Sequence, residues 1–598
     1  MSLARPDERT SEAIRVALAR LGIDRFVLSI HQASFPAGED DVGIGTPHSA
    51  RGLDFAAYAR SLGFDGIALG PGGKTSRSNP SPYDATAFSK SPLSIALGAL
   101  TGADEGPWSK LLDPSEIIAA RRGVPETGSY ADAFDLHREL LERALERADA
   151  KSREELDRRL DAFRLPWLER ERGFEEVAAA VGSDDWASWP ANPPRFADAG
   201  RRFELEQLLA HDQHQRFRST LRSLGLRLYA DLAIGTSHRD RLLYKDRFLR
   251  GYVMGAPPSR TNPGGQPWGY AVVDPRGLVD GASRAFVQER VVKLLAEHDG
   301  LRIDHPHGWV CPWVYRDGTT DPAAAVRAGA RLFESPDLPD HSALSEYARV
   351  RPDQLDRSQA RYADAWVRSL EPEQIEKYAV IIDLFVEEAR ASGADVRDIM
   401  VEVLSTCPRP LLSVLERHGL GRFRVTQKAS MTDPADVYRS DRAHPEDWIM
   451  VGNHDTPPLS LVIDRWREAD EVHARARYLA GRLEPDPASR SELARQWESE
   501  RGALTTAMLA DLFVGPARNV LVFWADLFGE RRIYNRPGEP HPDNWCLRVP
   551  SDFERARALA VAKGDAPSIE RALALALRAR SLDEDGLADR LIEATKRP

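Results

Sequence analysis

Apolar residues fall along this chain in two kinds of run. Short, nearly continuous runs recur at FVLSI (26–30), DGIALG (65–70), LRLYADLAIG (226–235), LRIDH (301–305), IMVEVL (399–404), RFRVTQ (422–427), WIMVGN (448–453) and NVLVFW (519–524). Each is bounded by Gly, Pro or polar residues, as strands of a parallel sheet buried on both faces are. Between them lie stretches with apolar residues at helical spacing, such as RGLDFAAYARSLGF (51–64). The N-terminus reads as a polar start plus an amphipathic helix, and 551–598 as amphipathic helix. Roughly eight strands with helices between them predict an α/β fold, a (β/α)8 TIM barrel with helical insertions.

The pattern breaks at the insertions. Residues 105–225 are expected to be mostly helical and include a Trp/Pro loop, DDWASWPANPPRF. Residues 320–395 read as a second helical insertion. GAPPSRTNPGGQPWG (255–269), within 253–270, is rich in Gly and Pro and reads as a long surface loop, the kind that binds ligands. No repeat, low-complexity linker or like-charge tail interrupts the chain, so a single barrel spanning 1–598 is expected.

Composition narrows the function classes. At 42% hydrophobic and 29% charged, the chain reads as an ordinary globular protein. Its formal charge of -11, with both signs interspersed, argues against a nucleic-acid partner and suits an uncharged or cationic ligand. Cys311, Cys407 and Cys546 are far apart, which suggests neither a disulfide framework nor a zinc cluster. A reducing cytoplasm is the expected location, with neither a signal peptide nor a membrane span read from the sequence. The sequence is silent on oligomeric state.

The candidate chemistry lies at strand ends. Asp231, Asp304, Glu402 and Asp455 each fall at or near the C-terminal end of a predicted strand. In a (β/α)8 barrel those ends carry the active site. One such carboxylate often only caps the next helix; four at the same end are harder to explain as caps. Arg302 and Asp304 stand two apart, so a strand points them to the same face. Glycosidic bond cleavage uses such a set: one carboxylate attacks the sugar carbon and another protonates the leaving oxygen. Arg302 would keep Asp304 ionised, while a less charge-compensated Glu402 would keep its proton near neutral pH.

The residues also resemble a known family, the amylomaltases, which are 4-α-glucanotransferases of glycoside hydrolase family 77 in the α-amylase clan. GLRIDH resembles its nucleophile strand, MVEVLS its acid/base strand and VGNHD its stabiliser strand. SPYDATAFSKSPL (81–93), DLAIG, the 255–269 segment and YNRPGEPHPDNWCLRVP (534–550) resemble further family segments, in the right order. The resemblance implies that Asp304 is the nucleophile, Glu402 the acid/base and Asp455 the transition-state stabiliser. It implies substrate contacts for Arg302, His454, Tyr83, Trp268, Gln266, Ser81, Asp231, His305 and Asn544, with Tyr83 and Trp268 as sugar platforms. The implied reaction is retaining transfer between α-1,4-glucan or maltooligosaccharide chains, with no cofactor and no metal.

Several positions depart from the family pattern. Val403 replaces an Asp beside the acid/base, Asn453 and Thr456 flank His454-Asp455, and His307 stands where the family has Arg. Pro258-Ser259-Arg260-Thr261 replaces an aromatic lid tip, and Arg239 and Asp240 sit one step out of register. Other readings stay open. The Arg302–Asp304 pair, Glu402 and the aromatics could be structural. The protein could be an α-glucan hydrolase, or a transglycosylase acting on a modified sugar acceptor. It could bind glucan without cutting it. His305-Pro306-His307 could open a metal-dependent hydrolase site.

Overall fold

The computed structural model describes residues 5–596 except 104, 123–129, 260–261 and 540. Among these, twelve strands occur: β1 (Arg25–Ile30), β2 (Gly66–Leu69), β3 (Arg227–Leu232), β4 (Phe248–Ala256), β5 (Gln266–Val273), β6 (Gly300–Ile303), β7 (Trp313–Arg316), β8 (Ala330–Arg331), β9 (Ile399–Val401), β10 (Phe423–Val425), β11 (Trp448–Met450) and β12 (Asn519–Phe523). Eight of them form a parallel sheet in the order β10-β11-β12-β1-β2-β3-β6-β9 with helices between strands, a nearly closed (β/α)8 barrel. These eight coincide with the eight apolar runs of the sequence. Their side chains are buried on both faces, which is why they read as continuous runs rather than alternating ones.

Local chemistry sets the ends of the helices. Ala50–Ser61 starts where the Ser49 side chain accepts from the Gly52 N–H. Arg409–His418 stops at Gly419, whose φ of 62° lies in the left-handed region.

Contacts divide the chain into two compact units, each with its own apolar core. The first comprises 1–70, 216–229 and 421–598; the second comprises 71–215 and 230–420. The first unit packs Phe26, Leu28, Phe55, Ile67, Ile449, Val520 and Phe523 against surrounding helices. It includes the three C-terminal helices Phe553–Lys563, Ile569–Ala579 and Leu587–Ala594, where one amphipathic stretch was expected. The second packs Leu232, Leu301, Ile303, Val401, Phe286 and Phe385.

The second unit also contains a four-stranded antiparallel sheet, β5-β4-β7-β8. The 255–269 segment is therefore not all loop. Gly255 and Ala256 close β4, and Gln266 to Gly269 open β5, which pairs antiparallel with it. The glycines and prolines mark a hairpin turn whose flanks carry the ladder. Arg260 and Thr261, in the lid-like stretch, lie outside the described residues. Helices run from Pro114 to Ser223 in the first insertion. The 320–395 stretch holds one long helix, Pro372–Ala391, with short helices, 3-10 turns and β8 before it.

Candidate active site

In the second unit, three strand-end carboxylates and a tyrosine meet around one guanidinium. Arg302 lies on β6, and its Nη1 pairs with Asp231 Oδ2 at the end of β3 and donates to Tyr83 Oη at 3.2 Å. Its Nη2 lies 3.3 Å from Asp304 Oδ1 and 2.8 Å from Glu402 Oε2. The Tyr83 hydroxyl donates to Asp231 Oδ2 at 3.1 Å, closing the triangle. The backbone N–H of Ile234 donates to the other Asp304 oxygen at 3.0 Å. His305 brings Nδ1 to 3.2 Å from Asp304 and 3.5 Å from Glu402. It holds this position with a φ of 40°, a left-handed backbone that a non-glycine residue adopts only at a cost. The Trp268 ring meets the His305 ring at 4.9 Å, edge to face, and its indole N–H donates to Gln266 Oε1 at 2.9 Å.

The charges follow from this geometry. Burial by itself would raise the Asp304 pKa; the field and hydrogen bond of His305, then Arg302 and the Ile234 N–H, hold it well below the usual carboxylate range. Burial pushes Asp231 up to about 7; Arg302 opposes this, and the like charges of Asp304 and Glu402 add to it. Burial would likewise lower the Arg302 pKa, but Asp231 and Glu402, then Tyr83 and Asp304, hold the guanidinium charged. Three buried acids share one guanidinium, and Asp231 is an acid that burial and like charge push upward. The expectation that Glu402 is the less compensated acid is corrected here. Glu402 Oε2 lies nearer to Nη2 of Arg302 than Asp304 Oδ1 does, at 2.8 against 3.3 Å.

The ligand atoms of Asp304, His305 and Glu402 all lie within 4.8 Å of one another, a spacing that could hold a cation. Arg302 already occupies the space between the two carboxylates. His307 is not part of this group. Its Nε2 is hydrogen-bonded to the Thr406 carbonyl at 2.9 Å, so the two histidines of the H-x-H motif have different partners. A second buried group, His214, Glu297 and His298, has similar spacing, but Lys90 and Lys293 pair with Glu297 at 2.8 and 3.0 Å.

In the first unit, β11 ends in a turn that carries His454 and Asp455. Asn453 and Thr456, two of the departures from the family pattern, build this turn together. Thr456 Oγ1 accepts from the Asn453 N–H at 2.9 Å and donates to the Asn453 carbonyl at 2.9 Å, and Asn453 Oδ1 accepts from the Asp455 N–H at 3.1 Å. Asp455 Oδ1 accepts from Asn535 Nδ2 at 2.7 Å, and its Oδ2 lies 3.5 Å from His454 Nε2. The His454 ring meets His31 edge to face at 5.0 Å, and His31 packs against Tyr534 and Trp545 at 5.4 and 5.2 Å. Gly70 makes this packing possible, because a Cβ there would overlap the His31 ring.

Not every expected residue joins a cluster. Asn544 spends its amide on its own loop, donating to the Glu539 carbonyl at 2.9 Å and accepting from Arg536 at 3.3 Å. Ser81 opens the 3-10 turn Pro82–Asp84 that carries Tyr83, and its N–H goes to Asn79 Oδ1 at 2.9 Å. Arg239 pairs with Glu175 at 2.7 Å, and Asp240 caps a helix through Ser237. Sequence reasoning passed over His31 and Asn535. His31 directly follows an apolar strand, the same signal that marked Asp231 and Asp304.

The profile of the 4-alpha-glucanotransferase family, glycoside hydrolase family 77, matches residues 30–553. The chain belongs to that family. It is 25% identical over 307 residues to the chloroplastic/amyloplastic 4-alpha-glucanotransferase of Oryza sativa subsp. japonica, covering 46% of this chain and 50% of that protein. It is 26% identical over 284 residues to a 4-alpha-glucanotransferase of Mycobacterium tuberculosis, covering 42% of this chain and 37% of that protein. The matched regions thus span half or less of these relatives. Among solved structures, amylomaltase from Corynebacterium glutamicum aligns with a TM-score of 0.62 at 19% identity, over 100% of this chain and 77% of that one. Amylomaltase from Streptococcus agalactiae, solved with acarbose, aligns at 0.65 and 15% identity, over 91% and 100%. These two amylomaltase structures share their fold with this chain. Among the described residues no helix is long and apolar enough to cross a membrane, and none of the three cysteines forms a disulfide.

Proposed function

We propose that the protein is a retaining 4-α-glucanotransferase acting on α-1,4-glucan or maltooligosaccharide chains in a reducing, cytoplasmic setting. The observation that carries this reading is the pair Asp304 and Glu402, whose oxygens lie within 4.8 Å at the ends of two adjacent barrel strands. Retaining glycosidases hold their two carboxyl groups about 5–5.5 Å apart, and inverting ones roughly 6.5–9.5 Å.

In this mechanism the ionised Asp304 attacks the anomeric carbon. Protonated Glu402 gives its proton to the departing glycosidic oxygen, leaving a β-linked glucosyl–Asp304 ester. Glu402, now a carboxylate facing Arg302, takes the proton from the 4-hydroxyl of an acceptor chain. That oxygen attacks the same carbon and releases Asp304. The resemblance gives Asp455 the role of holding ring hydroxyls as positive charge develops, and Trp268 and Tyr83 the role of packing on glucose faces. No step requires a cofactor.

Incubation with maltotriose tests the reading. A ladder of longer and shorter oligosaccharides, abolished in Asp304→Ala, is the expected result. Glucose and maltose alone would make the protein a hydrolase, and unchanged maltotriose would make it a binder.

A further inference from the structure

The two aromatic side chains given the role of sugar platforms stand on unlike supports. Trp268 lies on β5, which pairs with β4 and is tied to β7 where the Gly269 N–H donates to the Tyr315 hydroxyl at 2.8 Å. Tyr83 lies on the three-residue 3-10 turn Pro82–Asp84, outside both sheets. A binding side chain on an irregular segment needs further contacts to keep its place. The residue after Tyr83 supplies them. Tyr270 Oη, on the same strand as Trp268, donates to Asp84 Oδ1 at 2.8 Å. Asp84 Oδ2 accepts from Asn79 Nδ2 at 3.0 Å, and Asn79 Oδ1 accepts from the Ser81 N–H at 2.9 Å. One carboxylate is thus anchored both to its own loop and to β5.

We propose that Asp84 and Tyr270 are positioning residues: their hydrogen bond joins the turn of Tyr83 to the strand of Trp268 and sets the spacing of the two faces on which glucan packs. The surroundings agree. Positions two apart on a strand share a face, and the Trp268 and Tyr270 rings lie 5.8 Å apart, tilted by 32°. A Cβ placed on Gly235 would lie 2.5 Å from the Tyr83 carbonyl oxygen and 2.8 Å from the Tyr270 ring, so the turn and the strand close on one point of the loop after β3. The same loop carries Ile234, whose N–H holds Asp304. Asp231 and Arg302 hold the tip of Tyr83 through its hydroxyl, and Asp84 holds its backbone end, so the ring is fixed at two points. The Asp84–Tyr270 bond takes no part in the proton transfers of Glu402, so its loss should be felt in binding more than in turnover.

The platform roles belong to the proposed function, and the inference rests on that reading; its first readout does not require activity. Hydrogen–deuterium exchange of the segment 79–87 is expected to quicken about two- to tenfold in Tyr270→Phe, which keeps the ring and removes the donor, with exchange in β9 unchanged. Unaltered exchange at 79–87 would overturn the joint. With maltotriose, Tyr270→Phe and Asp84→Ala are each expected to raise KM about two- to tenfold while kcat stays within about two-fold of the wild type. Asp84→Asn, whose amide oxygen still accepts from Tyr270, is expected to keep KM within about two-fold. Wild-type KM in Tyr270→Phe and Asp84→Ala, even with a lowered melting temperature, would overturn the positioning role, as would an Asp84→Asn protein as impaired as Asp84→Ala. A wild-type protein inactive on glucan would defeat the proposed function, while the exchange experiment would still decide whether the joint holds the turn.

Discussion

Around Arg302, carboxylates are held by opposite charge at buried strand ends; at the turn from Gly452 to Leu459, Asp455 is held by neutral hydrogen bonds and aromatic packing. The Asp304 side chain is 5% exposed and that of Asp455 29%. That difference decides which forces count. In the dry Arg302 cluster a missing partner leaves a buried charge uncompensated, which is costly. At the wetter turn, water can replace a lost partner, and precision comes instead from the Asn453–Thr456 staple and the fit of His31 beneath His454. One region stakes its stability on charge balance, the other its geometry on shape.

Removing a proton carrier from the charged region should have the largest effect. Glu402→Gln is expected to lower kcat by roughly 10²–10⁴-fold on maltotriose with circular dichroism unchanged, since it deletes the acid and keeps the shape. Wild-type turnover in that variant would assign the proton elsewhere. Arg302→Leu should cost about 3–5 kcal/mol of unfolding free energy, because Asp231, Asp304 and Glu402 lose their shared partner; denaturant titration measures it, and a loss under about 1 kcal/mol would mean the cluster is wetter than it is drawn here.

Gly70→Ala probes the shape-based region. Overpacking against His31 should cost about 1–3 kcal/mol and lower kcat by displacing His454, with the Arg302 cluster untouched. Chemical denaturation paired with steady-state kinetics separates the two effects. The smallest effect concerns pH. Asp231, raised in the folded state to about 7, makes stability fall as pH climbs from about 4 toward 7, and Asp231→Asn should remove that slope. Asp304 acts with the opposite sign. Its depressed pKa gives stability that is present above the ordinary carboxylate range and lost only on acidification below it. Thermal melts across pH 3–8 would display both limbs.

Much of this was legible in the chain. The eight barrel strands are apolar on both faces, and that property is local, so each appears as a run that can be read without its neighbours. Strand-end carboxylates were legible for the same reason. The pairing of β4 with β5 was not, because glycines and prolines such as Gly264, Gly265 and Pro267 look alike in a long loop and at the flanks of an antiparallel pair. His31 was overlooked because it gains meaning only from what it touches.

The sequence by itself determined the barrel, the family and the placing of Asp231, Asp304, Glu402 and Asp455 at strand ends, since hydrophobic pattern and residue order are properties of adjacent positions. Only the tertiary structure decided that Arg302 lies closer to Glu402 than to Asp304, that Asn544 serves its own loop, and that His31 packs against His454. Those outcomes depend on residues many tens of positions apart reaching the same few ångströms, where burial and shared charge set each group's partner and proton.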